Sequence, residues 1–131
     1  MMKKVVALGM AFGLPLVLGL GPVLAEEGHS HDHGAGMQQV MIKGELVDSL
    51  CYVAMGAKGP GHKQCAIDCA KAGIPVSILE DGTGKLYTVL PKEDKTGLPE
   101  SVISKMGDKV TLKGDFYENG GNKYVAVELV E

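Results

Sequence analysis

Two runs near the C-terminus, KVTLKGDFY (109–117) and KYVAVELV (123–130), alternate apolar and polar residues with a period of two around the turn ENGGN. Such alternation belongs to strands with one face in a core and the other in water, and the paired glycines supply the positive φ of a tight hairpin. Val110, Leu112 and Phe116 are therefore expected to face Val125, Val127 and Leu129 across the pair. A hairpin is not stable by itself, so the rest of the chain must supply more strands.

It does so twice. PVSILE (75–80) and KLYTVLP (85–91) are joined by the glycine-punctuated DGTG, a second hairpin signal. VMIKGELVDSL (40–50) has a β-like alternation, with Gly44 at a bulge or bend and Cys51 ending the strand. Between the third and fourth strands, Leu98, Val102, Ile103 and Met106 fall on one side of a helix that Pro99 opens and Gly107 closes. Five strands with a helix between the third and fourth is the order of the OB fold, a small, partly open Greek-key barrel. The expected class is thus mainly β: a five-stranded OB-like barrel with a cysteine-bearing helical insertion (51–73) between strands 1 and 2. The rival architecture is an α+β sandwich of two hairpins covered by helices.

The first 25 residues have a two-lysine start, a long apolar run and small residues at the end, the layout of a secretory signal peptide cut after Ala25. Pro15, Pro22 and several glycines in that run weigh against a stable membrane anchor. A periplasmic or secreted location follows, with export unfolded because no twin-arginine pair is present. Residues 26–39 are polar and glycine-containing, a flexible tail whose His29, His31 and His33 can capture divalent ions weakly. The OB-like domain then occupies 40–131. Losing Lys3 and Lys4 with the leader takes 13 cations to 11 against 16 carboxylates, a formal charge of −5. With no arginine and no tryptophan, that balance excludes a nucleic-acid partner.

Chemistry concentrates in CYVAMGAKGPGHKQCAIDC (51–69), which holds all three cysteines and the one histidine outside the tail. HKQCAIDCAKAG (62–73) suits a short helix stopped by Gly73 and Pro75, which places His62, Cys65 and Cys69 on one face. Cys51, arriving from a different element, closes the set. Three thiols and an imidazole form a soft Cys3His group for zinc or copper, with Cys51, His62, Cys65 and Cys69 as ligands. Asp48 and Asp68 are candidate acceptors for the His62 ring N–H, or plain surface charges. An odd cysteine count in an exported chain also admits a disulfide staple with one spare thiol, pinning an OB-like interaction module. A third reading is a thiol-disulfide or electron-transfer protein using Cys51, Cys65 and Cys69.

The segments G-x-L-V-D-x-x-C-Y (44–52), H-x-x-C-A-x-x-C (62–69) and GIPV (73–76) resemble a recurring pattern in small, largely uncharacterised exported bacterial proteins. The resemblance covers about a third of the chain. It implies a shared cysteine-rich insertion on an OB-like body. A looser similarity to periplasmic OB-fold copper-binding proteins suggests metal handling. Those proteins bind through strand Met, His and Trp residues, and this chain has no tryptophan, so their mechanism does not transfer. No Ser-His-Asp order, phosphate loop or catalytic carboxylate pair stands out, and GTGK (82–85) lacks the first half of a P-loop. The expected role is a carrier, sensor or structural metal site rather than an enzyme, its partners a metal ion and another exported protein.

Overall fold

A computed structural model of the chain describes residues 38–131. The expected leader (1–25) and the tail histidines His29, His31 and His33 lie outside the described residues. The order is β1 (Gln38–Asp48), α1 (Ser49–Met55), a 3-10 turn (Pro60–His62), α2 (Lys63–Lys71), β2 (Val76–Glu80), β3 (Leu86–Leu90), α3 (Glu100–Ile103), β4 (Lys109–Asn119) and β5 (Asn122–Val130). The strands close into a barrel in the order β1-β2-β3-β5-β4, with β4 returning to β1 and β3 running parallel to β5. This is the OB-like order expected from the sequence, with the insertion between β1 and β2 and a short helix between β3 and β4. Among the described residues no helix is long and apolar enough to cross a membrane.

β1 serves two neighbours. Its first part, from Gln38 to Glu45, pairs with β4, and Gly44 to Asp48 pair with β2. Gln38 and Gln39, expected in the tail, are already in register with Phe116 and Asp115. At the changeover a Cβ on Gly44 would sit 2.2 Å from the Leu79 carbonyl oxygen, so only glycine lets the strands close here. The bend runs without a slip in register.

Leu46, Ile78, Leu112 and Val125 fill the barrel with no exposed surface. Val102 and Met106, also fully buried, reach the same core from α3 and the turn after it, as their spacing predicts. Ala66 is the buried residue of α2 and joins that core too. Fully burying a side chain the size of Met106 stabilises the fold by about 1.5–3 kcal/mol.

One expected face is corrected. Val125 and Val127 point inward, but Leu129 is half exposed and Val130 is buried in its place. Gly114 pairs with Val127 and Lys113 with Leu129, leaving Glu128 as an extra residue on β5. A bulge of this kind reverses the alternation beyond it, which turns Leu129 out and Val130 in.

The insertion is fastened to the barrel by contacts that involve no thiol. The Glu45 carboxylate, on the largely buried end of β1, accepts the Gly59 N–H. Lys63 pairs with Asp108, and the Ser49 N–H donates to the Pro75 carbonyl at 2.8 Å. At Gly107 (φ +77°) a Cβ would lie 2.9 Å from the Gly59 oxygen and 3.2 Å from the Lys63 Cα. Both the positive φ and the close approach therefore require glycine where the insertion docks.

Candidate metal centre

Asp48 is the hinge of the site. As the last residue of β1 it has extended backbone (φ −74°, ψ 132°) and N-caps α1, its Oδ1 accepting the Cys51 N–H at 2.8 Å. Gly56, in the left-handed region (φ +69°), ends the same helix with its N–H on the Tyr52 and Cys51 carbonyls. Cys51 therefore stands in the first turn of a seven-residue helix, not at the end of a strand as the sequence suggested. It is the one buried residue of α1.

His62 ends the 3-10 turn, just before α2 begins, so it does not share a regular helix face with Cys65 and Cys69. Its Nε2 lies 3.0 Å from Asp48 Oδ2, and the Asp48 side chain has no exposed surface. Of the two expected acceptors, Asp48 takes the imidazole, whereas Asp68 accepts from the Gln64 side chain at 3.0 Å.

Cys65 and Cys69 sit one turn apart on α2, which packs Ala66, with Ile67 and Ala70, against the barrel. Packing of that stripe fixes the rotation of the helix and leaves the thiols on the adjoining side, Cys65 exposed and Cys69 partly covered. Gly73 (φ +93°) and Pro75 end the helix where expected.

These elements bring the donors together in two overlapping groups. The sulfurs of Cys51, Cys65 and Cys69 lie within 4.8 Å of one another, and so do ligand atoms of Asp48, Cys51 and His62. Cys51 belongs to both. Of the four donors read from the sequence, the three thiols form one group and His62 stands in the other, with Asp48 and Cys51; neither group holds all four. The carboxylate is a fifth candidate donor. Asp48 was visible in the sequence only as an acceptor for histidine. Its position three residues before Cys51, the spacing of a cap to the third residue of a helix, was the signal that tied it to the thiol as well.

The electrostatics of the group favour the protonated thiol at Cys51 and at Cys69 in the absence of a cation. Cys51 is pushed up to about 12, first by its thiol hydrogen bond to Asp48, then by burial and by the Asp48 charge. Burial raises Cys69 as well, with the charge of Asp48 and the neighbouring Cys65 adding to it. For Asp48 burial works against the charge, but hydrogen bonds from the Cys51 backbone and thiol and from His62 outweigh it and hold the carboxyl below 3.8. Nucleophilic cysteines sit in electropositive surroundings that lower the thiol pKa, and here the neighbour of Cys51 is a carboxylate. A metal ion reverses the balance, because it replaces the thiol protons with positive charge.

Compared with known proteins, the chain matches no family model, no curated protein and no solved structure, so the barrel and the donor cluster stand on their own geometry.

Proposed function

We propose that this is an exported protein that carries a soft metal ion, zinc or copper, bound by the thiolates of Cys51, Cys65 and Cys69 with His62 as the nitrogen donor of the centre. The observation that supports this most directly is the meeting of three sulfurs from two separate helices within 4.8 Å. Sulfur-rich donor sets of this kind select zinc and cuprous copper over oxygen-seeking ions.

Carriage is favoured over a purely structural metal by how the insertion is held. Glu45, Lys63 and the close contact at Gly107 fasten it through groups that are not candidate ligands. Cys65 is exposed at the edge of the cluster, which leaves one ligand open to exchange with an acceptor. The leader and the histidine tail read from the sequence fit an exported carrier that gathers ions in an oxidising compartment.

Elemental analysis with a thiol count, on mature protein taken from its own compartment, tests the reading. Bound metal with three reactive thiols after chelation supports carriage. Absence of metal with one free thiol refutes it in favour of a disulfide-stapled module. A thiol-disulfide role draws on the same sulfur proximity, but the raised Cys51 and Cys69 are poor nucleophiles. A reversible two-electron titration at a mid-range potential would restore it.

A further inference from the structure

The donor cluster contains more ligands than one ion uses. A tetrahedral ion takes four, and the described residues offer five: three thiols, an imidazole and a carboxylate, arranged as two groups of three that share only Cys51. We propose that the centre is binuclear, with one ion on Cys51, Cys65 and Cys69, a second on Asp48, Cys51 and His62, and the Cys51 thiolate bridging them. The inference rests on the reading that this cluster binds metal at all.

Three observations carry it. The first is spacing. His62 Nε2 and Asp48 Oδ2 are 3.0 Å apart. Two ligands each about 2.0–2.1 Å from a zinc ion, at roughly a tetrahedral angle, stand about 3.3 Å apart. The ion can therefore take the place of the shared proton with little movement of either side chain. The second is charge. Three thiolates and one carboxylate bring four negative charges to a pocket in which Asp48 and Cys51 are buried. Among the described residues, the contact between His62 and Asp48 is the one these donors make with a basic side chain. One divalent ion leaves two of those charges uncompensated, and a cuprous ion leaves three. Two divalent ions balance all four, and the second stands against the two buried donors, Asp48 and Cys51, whose charge water does not screen. The third is the position of Cys51. Its thiol interacts with both Asp48 and Cys69, and its sulfur is the one ligand atom common to the two groups.

The seats differ in chemistry. The sulfur-only seat suits cuprous copper or zinc, while the mixed nitrogen, oxygen and sulfur seat suits zinc. Each has three protein ligands and keeps a position open to solvent or an incoming donor. Two ions on one sulfur, each at a bond length near 2.3 Å, are no more than about 4.6 Å apart.

Anaerobic titration of the reduced mature protein with zinc alone, read by native mass spectrometry, tests the count. The expected result is two zinc ions in the wild type, one in His62→Ala, and one in the double variant Cys65→Ser/Cys69→Ser. One zinc in the wild type, weakened by His62→Ala, overturns the second seat and leaves a single Cys3His site, with the carrier reading intact. No zinc at any ratio overturns both. His62 is partly exposed, so its alanine variant is expected to fold, and far-ultraviolet circular dichroism on each variant checks this. Cobalt(II) titration tests the bridge. The paramagnetic signal should rise to one equivalent and fall towards two, as two ions couple through the thiolate. A strictly additive signal would overturn the shared ligand.

Discussion

Replacing Asp48 by alanine removes the residue that joins the barrel to both halves of the insertion. Two costs follow from its contacts. Loss of the cap on the Cys51 N–H costs about 0.5–2 kcal/mol. Loss of the half-buried bond to His62 costs about 0.5–1.5 kcal/mol more. Together they predict about 1–3.5 kcal/mol, or a fall in melting temperature of about 4–28 °C for a domain of this size. Asparagine is a comparable cap and keeps the shape, so Asp48→Asn should lose less than about 1 kcal/mol. It should still change the chemistry of Cys51, since the carboxylate is the main reason its thiol is held up to about 12. Without that charge the pKa should drop towards the ordinary 9.0. Urea denaturation of the metal-free reduced protein, paired with the pH dependence of Cys51 alkylation, measures both effects. If Asp48→Ala and Asp48→Asn both unfold within about 0.5 kcal/mol of the wild type and alkylate with its pH profile, Asp48 is not the joint described here.

Other outcomes follow from the same structure. A thiol that ionises at 9.0 when unfolded but holds its proton to about 12 when folded costs stability as pH rises. The metal-free protein should therefore weaken between those values, and Cys51→Ser should lessen the decline in a pH series of denaturation curves. Asp48 has the opposite sign: held below 3.8, it contributes stability above that pH, and the contribution is lost as pH falls through its lower folded value. In acid unfolding, the advantage of wild type over Asp48→Asn should be full above 3.8 and shrink as pH falls below it. Zinc at about 100 times its dissociation constant should stabilise the protein by about 2.7 kcal/mol, and a chelator should reverse the shift in a thermal scan. On the barrel, Met106→Ala should cost about 2–5 kcal/mol, whereas Leu129→Ala, outside the bulge, should cost less than about 0.5 kcal/mol.

The contrast between Met106 and Leu129 also shows how far the sequence can be read. Met106 was placed in the core by helical spacing with Leu98 and Val102, a local pattern that the tertiary structure preserves. Leu129 was misplaced because a bulge is set by the register of the partner strand. Nothing in KYVAVELV marks Glu128 as the extra residue. The barrel order is legible because β1, β4 and β5 carry an alternation and both hairpins a glycine turn. The sequence puts Cys51 on a strand because a helix of seven residues is too short to display its period against the alternation before it. The markers present were the cap at Asp48 and the stop at Gly56. Convergence of Cys51 with Cys65 and Cys69 was inferable from residue type and spacing. The double grouping was not, because it depends on His62 standing in a 3-10 turn and facing the buried end of β1.

X-ray absorption at the zinc edge of the metal-loaded mature protein addresses the central claim most directly. Binding through Cys51, Cys65 and Cys69 predicts a first shell dominated by sulfur at about 2.3 Å, with a lesser nitrogen or oxygen contribution near 2.0–2.1 Å. A shell of nitrogen and oxygen alone, unchanged when Cys65 and Cys69 are replaced by serine, would contradict it.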